Sequence, residues 1–412
     1  MNKLKRGYFD NYFKRFAQRV AILDEAIHPD CNMIIVIPCH NEPDLIGTLE
    51  ALLACNHQTR PVEVIIVVNE KSENDHREIH EQNLKTILEF DQWKCNLKNS
   101  LIKFRLIKAL DLPHKHAGVG LARKIGMDEA LRRFLSIDVD GTIVCLDADC
   151  RVSKNYLSAI EEKFGQSNAN LGEVHYEHAF QHERNEGLKK GIINYELFLR
   201  YYVEGLKSAG FPYAIQTIGS CMLVKAATYA KHGGMNKRKA GEDFYFLHKI
   251  IPHEKFKEVR EATVYPSCRT SDRVPFGTGK AQQDWLDQTS NVYQSYDPKI
   301  FQELKSLLDS VDLFYHNDVN EVIDRLSSIP KAFLSEYPYH EKIKLIKANC
   351  KSLDQFKKQF FVWFDGFLCM KFVHFVRDKY YPNIPIRWAI EQASFNWDRR
   401  TLALIQTVNQ EA

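Results

Sequence analysis

A chain of 412 residues corresponds to roughly two to three domains at about 150 residues each, enough to bury a sizeable core. Hydrophobic residues make up 44% and charged residues 26% of it, ordinary globular usage that excludes disordered, collagen-like and low-complexity classes. The 56 Lys and Arg against 53 Asp and Glu leave a net charge of +3, too small for bulk electrostatics to recruit nucleic acid.

The opening, MNKLKRGYFDNYFKRF, is basic and aromatic and lacks the continuous apolar run of a secretory signal. Residues 1–31 read as an N-terminal helical extension. Met33–Ile37 is a β-branched run stopped by Pro38, and Glu63–Val68 is a second, stopped by Asn69. Continuous apolar runs of this kind suit buried parallel strands covered by helices on both faces. Between them, Leu45, Ile46, Leu49, Leu52 and Leu53 recur at helical spacing, with Asp44 placed to cap the helix. Strand, helix, strand is the βαβ unit of a wound α/β sheet. Further strands are predicted at Phe104–Ala109 and Thr142–Leu146, with a helix from Gly120 to Phe134 between them.

Farther on, TIGSCMLVKA reads as a strand followed by a short helix, and Gly241-Glu242-Asp243 opens another helix. A strand is expected around Thr263–Tyr265, then a basic, glycine-bearing loop, SCRTSDRVPFGTGKA. From about Ser290 the pattern is helical and aromatic to the end, so the expected divisions are 1–31, 32–270 and 271–412. The apolar stretch from Phe360 to Val376 is broken by Asp365, Lys371 and His374, which argues against a membrane span. Ten cysteines occur without a C-x-x-C pair, the pattern of free thiols in a reducing cytoplasm without a zinc site.

In wound sheets, ligands sit beyond the carboxyl ends of the strands. Those ends read Pro38-Cys39-His40-Asn41-Glu42, Asn69-Glu70 and Asp147-Ala148-Asp149. The first holds no glycine-rich fingerprint, so a nicotinamide enzyme is excluded at its defining position. Two carboxylates one residue apart after an apolar strand repel each other unless a cation compensates. Hard Mg²⁺ or Mn²⁺ is the simplest partner, held by one or two carboxylates plus substrate phosphates. A solvated acidic turn is the bland alternative.

Taken in order, PCHNEPDLIGTLEALL, VVNEKSEND, AGVGLARKIGMDEA, VCLDADC and AGEDFYF resemble the signature segments of family 2 glycosyltransferases of the GT-A fold. The resemblance covers Asn32 to Arg269 and implies a wound, mostly parallel sheet flanked by helices, followed by a helical appendage. It implies that Pro38, His40, Asn41, Glu42 and Asn69 line the nucleoside pocket, and that Asp147 and Asp149 bind metal and diphosphate. Gly118, Gly120 and Arg123 open a helix whose N-terminus and guanidinium suit a diphosphate. Asp243 is the candidate general base, with Glu242 orienting the acceptor. Arg269, Arg273 and Lys280 are candidates to close over the diphosphate, and His248 is a candidate extra metal ligand. The second strand end departs from the family's usual Asp pair, since this chain has Asn69-Glu70.

The expected activity is metal-dependent transfer of a sugar, with inversion, from a nucleotide-diphospho-sugar to a carbohydrate, lipid or small-molecule hydroxyl. Nucleotidyl transfer is the competing enzyme class, disfavoured because its glycine- and basic-rich loop is replaced here by PCHNEP. A non-catalytic sugar-nucleotide-binding protein is the third reading. Tyr195–Tyr202 and the C-terminal aromatics suit either core packing or an acceptor groove. Lys371, Arg377 and Lys379 near Phe367, Phe372 and Phe375 also suit peripheral contact with the inner face of a membrane.

Overall fold

A computed structural model of the chain describes residues 3–17, 22–56, 59–72, 76–98, 100–271, 276–288, 290, 292–336 and 338–410. Arg273 lies outside these residues. The chain divides into two compact units, one of Met1–His182 with Thr217–Gly277, the other of Glu183–Gln216 with Thr278–Ala412. This division differs from the expected boundaries at Glu183–Gln216, which leaves the first unit to join the C-terminal helices, and at the N-terminal helix, which belongs to the first unit.

The first unit is built on eight strands: β1 (Met33–Cys39), β2 (Val62–Lys71), β3 (Ile102–Leu112), β4 (Thr142–Cys145), β5 (Arg151–Val152), β6 (Leu171–Tyr176), β7 (Met222–Lys225) and β8 (Phe256–Tyr265). They form one sheet in the order β3-β2-β1-β4-β7-β6-β8-β5. The pairs β3·β2, β2·β1, β1·β4 and β6·β8 are parallel, whereas β7 and the short β5 run antiparallel to their neighbours. The expected wound, mostly parallel sheet is therefore present. Every residue of β1 and the first nine of β2 are buried, as continuous apolar runs require.

β1 does not stop before Pro38 but continues through it, pairing Pro38 with Val67 and Cys39 with Val68. The reason lies on its other side. β4 pairs with β1 only as far as Val36–Cys145, and Val36 accepts from Leu146 N beyond that point. By the two-residue alternation of a strand, the N–H that Pro38 lacks falls where this neighbour has ended, so no ladder bond is lost.

Four helices frame the parallel half: α1 (Lys3–Arg15), α2 (Leu45–Leu53), α3 (Arg77–Cys95) and α4 (Val119–Ser136). Asp44 precedes α2 without a side-chain capping bond, because its carboxylate is taken by Arg151. α4 carries an almost wholly buried surface against β1 and β2. α1 closes over it: Tyr12 and Tyr229 both donate to Asp128 Oδ1 at 2.6 Å, and Lys124 pairs with Asp128 at 3.3 Å. Burial and the Asp128 charge together hold the Tyr12 hydroxyl well above the ordinary phenol range.

The second unit is helical and rich in aromatic side chains. Its core includes Tyr201, Phe301, Phe314, Phe333, Phe356, Phe360, Phe364 and Phe372. Core packing is thus the role of most of the aromatics in YELFLRYY and FFVWFDGF. Glu196, with no exposed surface, accepts from Arg200 Nε at 2.9 Å and Arg400 Nε at 2.8 Å, tying the helix Glu186–Ser208 to the helix Arg399–Gln410. Among the described residues no single helix is long and apolar enough to cross a membrane. The helices Leu353–Trp363 and Gly366–Lys379 meet that measure only as a pair bent by 67°.

Gly126 sets the approach of α4 to the sheet: a Cβ there would collide with Val36 Cγ1 and lie 3.1 Å from Val67 Cγ2. Helix propensity alone favours Ala over Gly by about 1 kcal/mol, but overpacking a central strand costs about 1–3 kcal/mol. Gly126→Ala is expected to lower the urea midpoint. Gly7→Ala, at an exposed position of α1 with nothing within 4 Å, is expected to raise it slightly.

Candidate functional site

At the carboxyl ends of β1, β2 and β4 the chain leaves the sheet in polar loops held together by buried bonds. Asn41 adopts φ +49°, a left-handed turn that Asn tolerates better than most residues. The turn presents the Asn41 N–H to Asn83 Oδ1 at 2.9 Å, while Asn83 Nδ2 donates to Glu70 Oε2 at 3.1 Å. His40 Nδ1 stands 2.7 Å from the Asn69 carbonyl oxygen. The first and second strand ends are therefore locked to one another, with Asn83 of α3 as the link. Thr86 Oγ1 donates to the Glu42 carbonyl at 2.9 Å, and Thr48 Oγ1 to the Ala148 carbonyl at 2.7 Å, which joins the third strand end to the same framework.

The centre of the arrangement is Arg123. Its side chain is 1% exposed, donates to Asp147 Oδ1 at 2.6 Å, and forms a second ion pair with Glu242, which is also buried. Asp243, next along the helix Glu242–Ile250, adds its charge to the same guanidinium. Gly219 lies between them: a Cβ there would sit 2.8 Å from Arg123 Nη1 and 3.0 Å from Asp243 Oδ2. A side chain at 219 would force the cation and the carboxylate apart. The helix itself starts at Gly241, whose φ of +69° is a left-handed conformation that glycine adopts freely.

Burial raises both carboxyl groups of this pair, Glu242 to about 7 and Asp243 also upward, against the opposing Arg123 charge. The Asp243 side chain is turned back on its own helix, where Oδ1 accepts from Phe244 N at 2.7 Å. A carboxylate lifted toward neutrality at a helix N-terminus has the character of a proton acceptor.

A second arginine joins the first and third strand ends. Arg269 Nη1 donates to Glu42 Oε1 at 2.9 Å, Nη2 pairs with Glu42 Oε2, and Nη2 also lies 3.2 Å from Asp149 Oδ2. Glu42 has no exposed surface, whereas the Arg269 and Asp149 side chains are 31% and 26% exposed. Each Asp of the D-x-D is thus paired with a different arginine, Asp147 with Arg123 and Asp149 with Arg269.

Several expectations change with these positions. Gly118 and Gly120 do not leave the start of α4 open for a diphosphate. A Cβ at Gly118 would meet Lys239 Cα at 3.0 Å, and one at Gly120 would strike the Arg238 carbonyl, so both glycines admit the segment Asn236–Lys239. Arg123 is buried between carboxylates and positions them. Glu242, expected beside the acceptor, is buried against Arg123 instead. His248 is also buried; it packs on Phe244 with ring centroids 4.6 Å apart, and burial lowers its pKa to about 4. Among the described residues no three or more His, Cys, Asp or Glu side chains are grouped to hold a metal ion, so His248 joins no ligand set with the D-x-D. Lys280 is in a helix, Thr278–Asp287, rather than a loop, and pairs with Asp284 one turn on. Asn83 and Gly219 were not singled out from sequence. The only signal for Gly219 was the glycine in TIGSCM, and Asn83 had none.

Arg123 is expected to be the costliest side chain here to remove. Arg123→Gln leaves Glu242 buried without its cation, a loss of about 3 kcal/mol or more. Adding Glu242→Gln is expected to restore part of it, as read by urea unfolding at pH 7; no recovery would mean that the pair does not hold this region.

No curated protein sequence matches the chain. Solved structures similar to it include S. aureus TarS residues 1–349, at 10% identity and TM-score 0.39 over 79% of this chain and 89% of that one. The same TarS fragment with UDP-GlcNAc has 8% identity and TM-score 0.41, and with UDP 9% and 0.40, over the same shares of the two chains. Residues 34–228 match the model of the family described as glycosyl transferase family 2.

Proposed function

We propose that the chain moves a sugar from a nucleotide-diphospho-sugar donor to a hydroxyl acceptor with inversion, with Asp243 as the general base. The observation that carries this reading is the Arg123 ion-pair cluster, which brings the strand-end Asp147 and the helix-opening Glu242-Asp243 to one place inside the family segment and its sequel. Asp243 takes the proton from the acceptor hydroxyl as its oxygen attacks the anomeric carbon. The bond from that carbon to the diphosphate oxygen breaks on the opposite side. Glu242 and Arg123 fix the position of Asp243, and His40, Asn41 and Asn69 form the polar wall of the nucleoside pocket.

Asp147 and Asp149 fit a divalent cation in kind, being hard oxygen donors with part-exposed carboxylates at a strand end. They are the residues that would hold Mg²⁺ or Mn²⁺, with donor phosphates and water completing the shell. Such a cation supplies charge neutralisation for the departing diphosphate. Asp149→Ala is expected to abolish metal-dependent donor binding while the fold survives, because the side chain contributes little to the core. Titration calorimetry of a nucleotide-sugar panel with Mn²⁺ checks this, and parental binding by the variant would remove the metal assignment.

Asp243→Asn keeps the shape of the side chain and its bond to Phe244 N but cannot accept a proton. Single-turnover transfer at saturating donor is expected to fall by about 10²–10⁴-fold with donor affinity nearly unchanged. If the residue is merely a helix cap, Asn serves about as well, and a drop smaller than about tenfold would decide for that role. The pH profile gives an independent check. The base works ionised and burial raises its pKa, so the rate is expected to fall on the acid side at a pH above 3.8, the ordinary aspartate value. An acid limb at or below that value would exclude Asp243.

A further inference from the structure

We infer that Arg269 is a tethered cation that competes with the divalent metal for Asp149, and that Glu42 is the positioning residue that keeps it there. The inference rests on the metal reading above and concerns how that site is regulated.

Glu42 is fully buried and receives both guanidinium nitrogens of Arg269, a forked contact that fixes direction as well as distance. The nitrogen Nη2 that serves Glu42 Oε2 is also 3.2 Å from Asp149 Oδ2. Arg269 therefore sits at Asp149 because Glu42 aims it, and Glu42 is itself held in the framework: its Oε1 accepts from Asp44 N at 3.0 Å, and its carbonyl accepts from Thr86. The Arg269 side chain remains 31% exposed, so it can move without opening the core.

A guanidinium and a divalent ion at one carboxylate oxygen exclude each other by charge and by space. A metal taken up at Asp149 Oδ2 would displace the 3.2 Å contact, and the displaced Arg269 charge would stay tethered nearby through Glu42. The result is a site whose negative charge is partly compensated by Arg269 and that binds metal more weakly than its carboxylates alone would until an anion arrives. A donor diphosphate offers Arg269 a new bidentate partner of opposite charge. Metal and donor then bind with positive coupling, which by linkage is reciprocal.

The test is Mn²⁺ affinity measured by electron paramagnetic resonance in the whole chain, first with Mn²⁺ alone. Arg269→Gln removes the competing charge while its amide can still donate to Glu42, and it is expected to bind Mn²⁺ at least about tenfold more tightly than the parent. Arg269→Lys keeps the charge but not the fork and is expected to show a smaller gain. Adding Asp149→Ala to Arg269→Gln should erase the gain, which a purely structural effect of residue 269 would not do. Equal or weaker Mn²⁺ binding by folded Arg269→Gln overturns the proposal. Should that variant fail to fold, Glu42→Gln/Arg269→Gln, with a neutral contact in place of the buried pair, is held to the same criterion. A parallel arm adds UDP, GDP, CDP or dTDP to the parent and to Asp149→Ala. Asp149-dependent Mn²⁺ binding in the parent without a gain in Arg269→Gln overturns the Arg269 inference alone, whereas none in any variant with any nucleotide overturns the metal reading beneath it.

Discussion

A guanidinium with 1% of its side chain exposed cannot stand alone, and how Arg123 is compensated fixes where the end of β4 and the start of the helix Glu242–Ile250 meet. Removing a cation from water costs several kcal/mol, and only close carboxylates with good geometry offset it. Arg123 finds Asp147 at the end of β4 and Glu242 at the start of the helix Glu242–Ile250. Two segments far apart in sequence are thereby drawn to the first turn of α4. Gly219 is small because the cation and Asp243 leave no space for a side chain, and Gly120 is small because the backbone of the segment leading to Glu242 runs against it. The glycines and the charges are one construction.

Much of the sheet was legible because burial on both faces writes itself as uninterrupted apolar runs. The first two strands and the helix between them read directly from MIIVI, LIGTLEALL and EVIIVV. Boundaries were harder where the deciding partner is distant. Pro38 looked like a stop, and it is a strand residue because β4 ends beside it. Asp44 looked like a cap, but Arg151, more than a hundred residues later, claims its carboxylate. Local rules describe what a side chain can do, and tertiary contacts choose among those options.

The same distinction divides the candidate site. The polar strand ends and the Glu242-Asp243 pair were legible as candidates because they stand directly beside apolar runs. Their division of labour was not. Arg123 reads as a phosphate ligand from its place at a helix N-terminus, yet its burial makes it a positioning cation. Gly118 and Gly120 read as the opening of a helix N-terminus suited to a diphosphate, yet a second segment of chain runs against them. Asn83 gives no sequence signal because its value lies in joining Asn41 to Glu70, a contact made only after two strands and the helix α3 have come together.

Charge arithmetic over the site bears on the order of events. Asp147, Asp149, Glu42, Glu242 and Asp243 face two guanidinium groups, those of Arg123 and Arg269. With every group ionised, these seven side chains sum to −3, or −2 with Glu242 protonated as its upward shift allows near pH 7. A nucleotide diphosphate is itself strongly anionic and would be repelled from such a surface. A divalent cation on the D-x-D brings the sum to between −1 and zero and presents a positive centre to the phosphates. The arginines settle the folded protein without ligands, and on the proposed reading their incomplete compensation would leave the site receptive to a metal before, or together with, the donor. A site fully neutralised by arginine would be more stable and would have no electrostatic reason to take up the ion. On this reasoning the charge deficit belongs to the proposed chemistry, and the buried Arg123 pair is what allows the fold to carry it.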